Sequence, residues 1–170
     1  MAFKGIDFAK LSAEMDARRA MSLLTLNNIE VVYDSVFLAV KGVSIDVPDS
    51  GLVALLGANG AGKSTVLKAI SGLLRAERGE VSRGQVTFRG EDALALDPPE
   101  RVRRGLVHVL EGRRVFEHLT PAENLLAATT MHRDRAKVAR RIDEMFALFP
   151  RLAERASAKA GYLSGGEQQM

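Results

Sequence analysis

The chain has 170 residues, of which 46% are hydrophobic and 26% charged, a composition typical of one globular unit with a substantial core. It has no cysteine and only three scattered histidines, which excludes disulfides, thiolate metal sites and cysteine nucleophiles. A net charge of +3, 5% aromatic residues and the absence of tryptophan argue against nucleic acid as a partner.

The first 21 residues differ in pattern from the rest of the chain. They have a weak amphipathic helical spacing through Phe8, Leu11 and Met15, and a second methionine, Met21, stands directly before strand-like sequence. We interpret 1–21 as an N-terminal extension with Met21 as the true start. The chain shows neither a secretory signal nor an apolar run near the ~20 residues that span a bilayer. We therefore predict a cytoplasmic location.

Alternating apolar residues after Leu23 predict a small antiparallel β subdomain. The alternating sets are Leu24 and Leu26; Ile29, Val31 and Tyr33; Val43, Ile45 and Val47; and, as an edge strand, Val86 and Phe88.

Two short runs do not alternate. Leu52–Leu56 is continuously apolar, and Gly105–Leu110, with the sequence GLVHVL, has the pattern of a second buried strand. Because strands of a parallel sheet are buried on both faces, such runs are typical of parallel strands. Together with the helices between and after them, they predict an α/β fold.

Helical signals fall between and after these runs. Val66, Leu67 and Ile70 repeat at helical spacing up to Gly72, which predicts a helix with a glycine C-cap. The stretch 97–100, Asp-Pro-Pro-Glu, predicts the start of a short helix.

The second half of the chain is predicted to be helical. Thr120 and Glu123, with proline at the first helical position between them, form a capping-box pattern. The next helix has one apolar face and ends before Pro150; its face consists of Val138, Ile142, Met145, Phe146 and Phe149. Clustered basic residues, among them Arg101 and those at 133–141, are interpreted mostly as solvated helix faces.

A glycine-rich loop between the first apolar run and the first helix fits the pattern G-x-x-x-x-G-K-[ST]. Its glycines allow backbone N–H groups to surround phosphate oxygens, and the following helix presents its positive end to them. We predict that Lys63 bridges the β- and γ-phosphates, that Ser64 offers its hydroxyl to Mg²⁺ and that Thr65 contacts a phosphate. The candidate ATP-binding residues of the loop are Gly57, Ala58, Asn59, Gly60, Ala61, Gly62, Lys63, Ser64 and Thr65. A glycine-rich turn without a ligand is the alternative.

The sequence LSGGEQQ lies about a hundred residues after the loop, at 163–169, across the helical stretch. It resembles the signature of ATP-binding cassette (ABC) ATPases, and the order of the two motifs is that of the family. Alone, the Ser-Gly-Gly would be interpreted as a turn. The resemblance implies that the signature residues contact the ATP held by a partner subunit. These residues are Leu163, Ser164, Gly165, Gly166 and Glu167.

The resemblance covers 22–170 and implies roles for two further residues. Tyr33 falls where the family places an aromatic ring that stacks on adenine, although a strand-core role is the alternative. Glu111 falls where most ABC ATPases have glutamine, in the loop joining the ATP core to the helical lobe, and is a further candidate for the Mg²⁺ site. The stretch EGRRVF with LTPAENL resembles the branched-chain amino acid importer ATPases of the LivF type, in which glutamate is normal there. The alternative is a solvated Glu111 paired with Arg113 or Arg114.

The resemblance implies a P-loop ABC ATPase core with an antiparallel β subdomain and a helical lobe, which lacks the C-terminal part of its parallel sheet. The predicted divisions are 22–110 for the ATP-binding core, 111–162 for the linking loop and helical lobe, and 163–170 for the signature. ATP and Mg²⁺ are the implied cofactors. The implied partners are a second ABC ATPase subunit in a head-to-tail homo- or heterodimer, membrane permease subunits on the inner face of the cell membrane and, indirectly, a periplasmic solute-binding protein.

In the family, the residues that hydrolyse ATP follow the signature, so no catalytic residue is assigned. The three histidines, His108, His118 and His132, precede the signature and are given no such role. We expect the chain by itself to be unstable and to hydrolyse ATP negligibly. Three alternatives are an ABC ATPase for another solute, a non-catalytic ATP-binding module and a soluble kinase sharing only the phosphate loop.

Overall fold

The computed structural model describes residues 22–170, so the predicted extension 1–21 lies outside the described residues. The chain divides into two compact units, one ending at His108 and the other running from Val109 to Met170. The finer division derived from the sequence stays a prediction.

A four-stranded antiparallel sheet forms the first unit's frame, in the order β2-β1-β3-β4. The strands are β1 (Ser22–Tyr33), β2 (Phe37–Pro48), β3 (Gly79–Phe88) and β4 (Glu91–Asp92). Leu26 of β1 lies opposite Ile45 on one side and Val86 on the other. Leu26 and Val86 are fully buried. The antiparallel β subdomain predicted from the alternation is therefore confirmed.

One helix, α1 (Lys63–Ser71), packs against this sheet through Val66 and Ala69, which are both buried. The helix ends at Gly72, which has a φ of 80° and donates its N–H to the Lys68 carbonyl, as the C-cap prediction requires. The unit's other helix, α2 (Pro98–Arg103), begins where the Asp-Pro-Pro-Glu pattern predicted, with Asp97 as its cap. Two 3₁₀ turns, Leu74–Glu77 and Ala93–Ala95, complete the unit.

The two predicted parallel strands are not formed. Neither Leu52–Leu56 nor Gly105–Leu110 is a strand, and both runs expose apolar side chains. Leu52 is 98% exposed and Val109 82% exposed. A strand needs a neighbour that pairs its N–H and C=O groups, and the described residues supply none to either run. Apolar character alone was therefore insufficient to predict a strand here.

The second unit is helical, as predicted. Its helices are α3 (Pro121–Ala128), α4 (Arg135–Leu148), α5 (Pro150–Glu154) and α6 (Gly165–Gln169), with a 3₁₀ turn at Ala160–Tyr162. The predicted capping box at the start of α3 is present, and α4 ends before Pro150. Leu152, Ala160 and Leu163 form its small core, and Phe146 and Phe149 pack against them.

Across residues 22–170, no helix is long and apolar enough to span a membrane.

Candidate nucleotide site

The glycine-rich loop turns sharply into α1. Gly60 and Gly62 have φ values of 84° and 87°, in the left-handed region that glycine tolerates at low cost. A Cβ at Gly62 would also lie 3.0 Å from Val40 Cγ2 and 3.3 Å from the Ala39 carbonyl oxygen. Glycine is therefore required at 62 by both backbone conformation and close packing against β2.

The Lys63 side chain lies against the loop that precedes it. Its Nζ donates hydrogen bonds to the carbonyl oxygens of Gly57 and Ala58, at 2.8 and 2.7 Å. These bonds hold an ammonium group against the loop without a carboxylate partner among the described residues. An anion that enters the loop therefore meets a fixed positive charge.

The N-terminus of α1 has backbone donors available for an anion. No side chain caps the helix at Gly62, and its first turn contains no acidic residue. Ser64 is exposed and Thr65 half-buried in that first turn. Uncapped N–H groups at a helix N-terminus favour phosphate, and a neutral hydroxyl is a suitable ligand for Mg²⁺. The residues present thus fit a magnesium–nucleotide, and 57–65 form one continuous loop and turn.

Tyr33 ends β1 opposite Gly79 and is half-buried. Its ring lies against that glycine, because a Cβ there would be only 2.7 Å from Tyr33 Cε1. The ring packs beside the core of the first unit. Both interpretations made from the sequence, strand core and adenine stacking, are compatible with this position, and adenine stacking stays a prediction.

Arg101 supports the far end of the phosphate-loop helix, a role that sequence analysis missed. The side chain is buried, with only 4% of its surface exposed, which corrects its interpretation as part of a solvated face. Its Nη1 donates to the carbonyls of Ala69 and Ile70, at 2.9 and 2.7 Å, and its Nε donates to Leu96 at 3.0 Å. Burial lowers the pKa of the guanidinium, and nearby Asp92 opposes that shift. Arg101 thus provides a cation where the helix dipole is negative.

Glu111 lies in the second unit and is exposed. Its carbonyl oxygen accepts a hydrogen bond from Arg114 Nε at 3.3 Å, whereas its carboxylate has no ion pair within the described part of the chain. The alternative, in which Arg113 or Arg114 neutralises the carboxylate, is therefore not what the structure contains. A role for Glu111 toward Mg²⁺ stays a prediction.

The signature forms the first turn of α6. Ser164 N donates to Glu167 Oε2 at 2.8 Å, and Glu167 N donates to Ser164 Oγ at 3.3 Å, which is a complete capping box. Leu163 is buried and anchors this turn, whereas Gly166 is exposed, with no atom within 4 Å of where a Cβ would stand. The structure therefore brings the signature residues together on one turn, in a different unit from the phosphate loop.

The signature turn is expected to weaken in acid. Hydrogen bonds from the Ser164 N–H and hydroxyl, and then the charges of Arg155 and Arg151, lower the pKa of Glu167. Because the pKa of Glu167 is lower in the folded chain than in the unfolded chain, its ionised carboxylate stabilises the fold at pH values above the unfolded pKa, about 4.3. This stabilisation is lost as the pH falls through the folded pKa. An NMR titration of the Glu167 carboxyl carbon should give a midpoint below about 4.3. In Ser164→Ala that midpoint should move upward, and a normal midpoint in the unmodified chain would contradict the capping box.

Asn124 is a second residue that sequence analysis missed. Its Oδ1 accepts from Phe116 N at 2.8 Å, and its Nδ2 donates to the carbonyls of Phe116 and Thr120, both at 3.0 Å. The amide thus fixes the loop that leads into α3. The sequence contains one indication of this role, which is an asparagine directly after the capping-box glutamate. The asparagine side chain forms hydrogen bonds with nearby backbone groups, so it is unfavourable inside a helix unless it has such a role.

Several known proteins resemble this chain in sequence. A sequence model of the ABC transporter family matches residues 40–170. The chain is 38% identical over 148 residues to the high-affinity branched-chain amino acid transport ATP-binding protein BraG of Pseudomonas aeruginosa, a match that covers 87% of this chain and 60% of that protein. It is 40% identical over 129 residues to the probable branched-chain amino acid transport ATP-binding protein LivF of Archaeoglobus fulgidus, with coverage of 75% and 52%.

The chain thus spans little more than half of the length of these curated relatives. Among solved structures, the ADP conformation of MJ1267, an ATP-binding cassette of an ABC transporter, superposes with a TM-score of 0.68 at 28% identity. That match covers 88% of this chain and 61% of that one. The predicted α/β ABC ATPase fold class is therefore confirmed. The chain belongs to the ABC transporter family of ATP-binding proteins.

Proposed function

We propose that this chain is the ATP-binding subunit of an importer for branched-chain amino acids and binds Mg-ATP in the loop formed by residues 57–65. The observation that carries the nucleotide site is the Lys63 amine, held by two loop carbonyls at the uncapped start of α1. A triphosphate offers this ammonium group stronger acceptors than neutral carbonyls, because phosphate oxygens carry a net negative charge that attracts the cation.

On binding, Lys63 exchanges the carbonyls of Gly57 and Ala58 for β- and γ-phosphate oxygens. The N–H groups of the loop and of the first helical turn donate to the same phosphates, and Thr65 adds a hydroxyl contact. Ser64 holds Mg²⁺, which neutralises phosphate charge when bound. Tyr33 supplies an aromatic face for the adenine.

The signature acts on a second ATP. The Ser164 hydroxyl oxygen accepts the Glu167 N–H at 3.3 Å, and its own O–H can donate to a phosphate because the Ser164 N–H, at 2.8 Å, holds the Glu167 carboxylate. Gly166 leaves the backbone accessible, because no atom lies within 4 Å of where its Cβ would stand. In a head-to-tail pair with a second ABC ATPase subunit, either a second copy or a related chain, Ser164 faces the γ-phosphate held by the partner's loop. ATP binding then closes the pair and hydrolysis opens it.

This closing and opening drives membrane permease subunits. The helical lobe of this chain and its loop from Glu111 to Thr120 are the region that docks onto those subunits. The subunit is therefore proposed to work in the cytoplasm, on the inner face of the cell membrane, with a periplasmic protein delivering the solute to the permease. The names of BraG and LivF support branched-chain amino acids as the solute.

Uptake measurements test the solute. Deletion of the gene in its native host should reduce uptake of labelled leucine, isoleucine and valine to background, with sulfate and phosphate uptake unchanged. The intact gene should restore uptake, and the same gene with Lys63→Ala should not, because the variant binds the ATP that drives transport more weakly and no longer contacts its β- and γ-phosphates. Matched protein levels of the two versions, checked by immunoblot, serve as the control.

Other relatives of the chain carry names for different solutes, sulfate and phosphate among them. Loss of sulfate or phosphate uptake in the deletion strain, with leucine uptake intact, would replace branched-chain amino acids by that solute. The proposed nucleotide site would be unaffected by that outcome.

A further inference from the structure

The guanidinium of Arg113 lies directly against Gly165 of the signature. A Cβ at Gly165 would stand 2.7 Å from Arg113 Nη1 and 2.8 Å from both Cζ and Nη2. No side chain fits in that space without displacing the guanidinium. The two residues lie in the same unit, 52 positions apart in sequence, so this contact comes from the tertiary fold of the second unit.

The charge of Arg113 is available to a ligand. The side chain is exposed, and it has no ion pair anywhere in residues 22–170. Other arginines of the same unit are paired: Arg141 with Glu144 at 2.6 Å and Arg151 with Glu154 at 2.9 Å. The guanidinium beside the signature therefore keeps its positive charge uncompensated by a carboxylate of the described chain.

The backbone fixes Arg113 at this position. Gly112 and Arg113 both have positive φ, 94° and 50°, and the Arg113 carbonyl accepts the Val115 N–H at 2.8 Å. This tight turn directly follows Glu111. One short segment thus joins Glu111, the candidate residue for Mg²⁺, to the arginine that contacts the signature turn.

We propose that Arg113 is a specificity-determining residue that contacts the γ-phosphate of ATP presented to the signature by a second copy of this chain. This inference rests on the proposed function, since the nucleotide is the one held in the partner's loop. A guanidinium offers a planar pair of N–H donors that suits a terminal phosphate, and ADP has no phosphate at that position. Arg113 thus makes pairing of two copies respond to ATP and not to ADP.

Sedimentation velocity of the chain with Mg-ATP or Mg-ADP tests this role. The unmodified chain should associate with Mg-ATP and not with Mg-ADP. Arg113→Gln, which removes the charge and keeps most of the stem, should weaken ATP-dependent association by about a hundredfold. This estimate follows from a loss of about tenfold per charged hydrogen bond, counted twice in a two-fold symmetric pair. Arg113→Lys should recover part of the lost association, because lysine keeps the positive charge but lacks the planar pair of guanidinium N–H donors.

Arg140→Gln is the matched control, because Arg140 is also exposed, lies in the same unit and has no ion pair within residues 22–170. It should associate like the unmodified chain. Binding of a fluorescent ATP analogue to the loop, and the unfolding midpoint, should be equal in all variants, since neither depends on Arg113.

The outcomes separate the two proposals. If the unmodified chain associates with Mg-ATP and Arg113→Gln associates equally well, the role of Arg113 is overturned and the proposed function stands. If the unmodified chain does not associate with Mg-ATP, the proposed pairing of two copies fails and the role of Arg113 fails with it. If Arg113→Gln and Arg113→Lys both have a lower unfolding midpoint than the unmodified chain, the γ-phosphate role of Arg113 would also be overturned. Arg113 would then act by packing.

Discussion

Lys63→Ala is expected to lower the affinity of the chain for Mg-ATP by about 10- to 100-fold, which corresponds to the loss of one or two charge-assisted hydrogen bonds. The reason is local to the loop: the Lys63 amine, 2.8 Å from the Gly57 carbonyl and 2.7 Å from the Ala58 carbonyl, is the cation that the phosphates meet. Isothermal titration calorimetry with Mg-ATP measures the change.

Lys68→Ala provides the control, because Lys68 lies on the same helix and its substitution removes the same charge. Its amine is paired with Glu77 at 2.6 Å, in the last turn and away from the loop. We expect its Mg-ATP affinity to stay within about twofold of the unmodified chain, since a half-exposed ion pair contributes little. Equal losses in the two variants would show that Lys63 acts through net charge or helix stability, and not as a phosphate ligand.

Arg101→Ala is expected to lower the free energy of unfolding by about 2–4 kcal/mol. The substitution leaves the carbonyls of Ala69, Ile70 and Leu96 without their shared donor in a buried location, and it removes the cation at the C-terminus of α1. Urea unfolding followed by circular dichroism measures the change. Arg103 also lies on α2, but it is exposed and pairs with Glu100. Arg103→Ala should lower the free energy of unfolding by no more than about 0.5 kcal/mol.

Arg101→Met separates packing from hydrogen bonding at this site. Methionine fills much of the volume but offers no donor to the three carbonyls, so we expect most of the loss to persist. Full recovery of stability with methionine would show that Arg101 acts mainly by filling space. Because Arg101 lies at the opposite end of α1 from the phosphate loop, its variants should lose less Mg-ATP affinity than Lys63→Ala.

Several elements were predictable from the sequence because their causes are local. The alternation of Leu24 with Leu26, and of Ile29 with Val31 and Tyr33, predicts half-buried strand sequence. Leu26, Ile29 and Val31 are fully buried in β1. Gly72 ends α1 and Thr120 begins α3 through hydrogen bonds to residues a few positions away. The phosphate loop is likewise a contiguous stretch, so its pattern alone identifies the turn that holds Lys63.

The contacts that only the tertiary structure decided join residues distant in the chain. Arg101 had the sequence pattern of a solvated arginine, yet it reaches carbonyls 31 and 32 positions away. The two apolar runs had the pattern of buried strands, but a strand also requires a partner backbone, and neither run has one in the described residues. Thus the sequence by itself determined the antiparallel sheet, the helix caps and the nucleotide loop, since backbone propensity and short-range hydrogen bonds suffice for them. Only the tertiary structure decided the burial of Arg101 and the contact of Arg113 with Gly165, because long-range packing selects their partners.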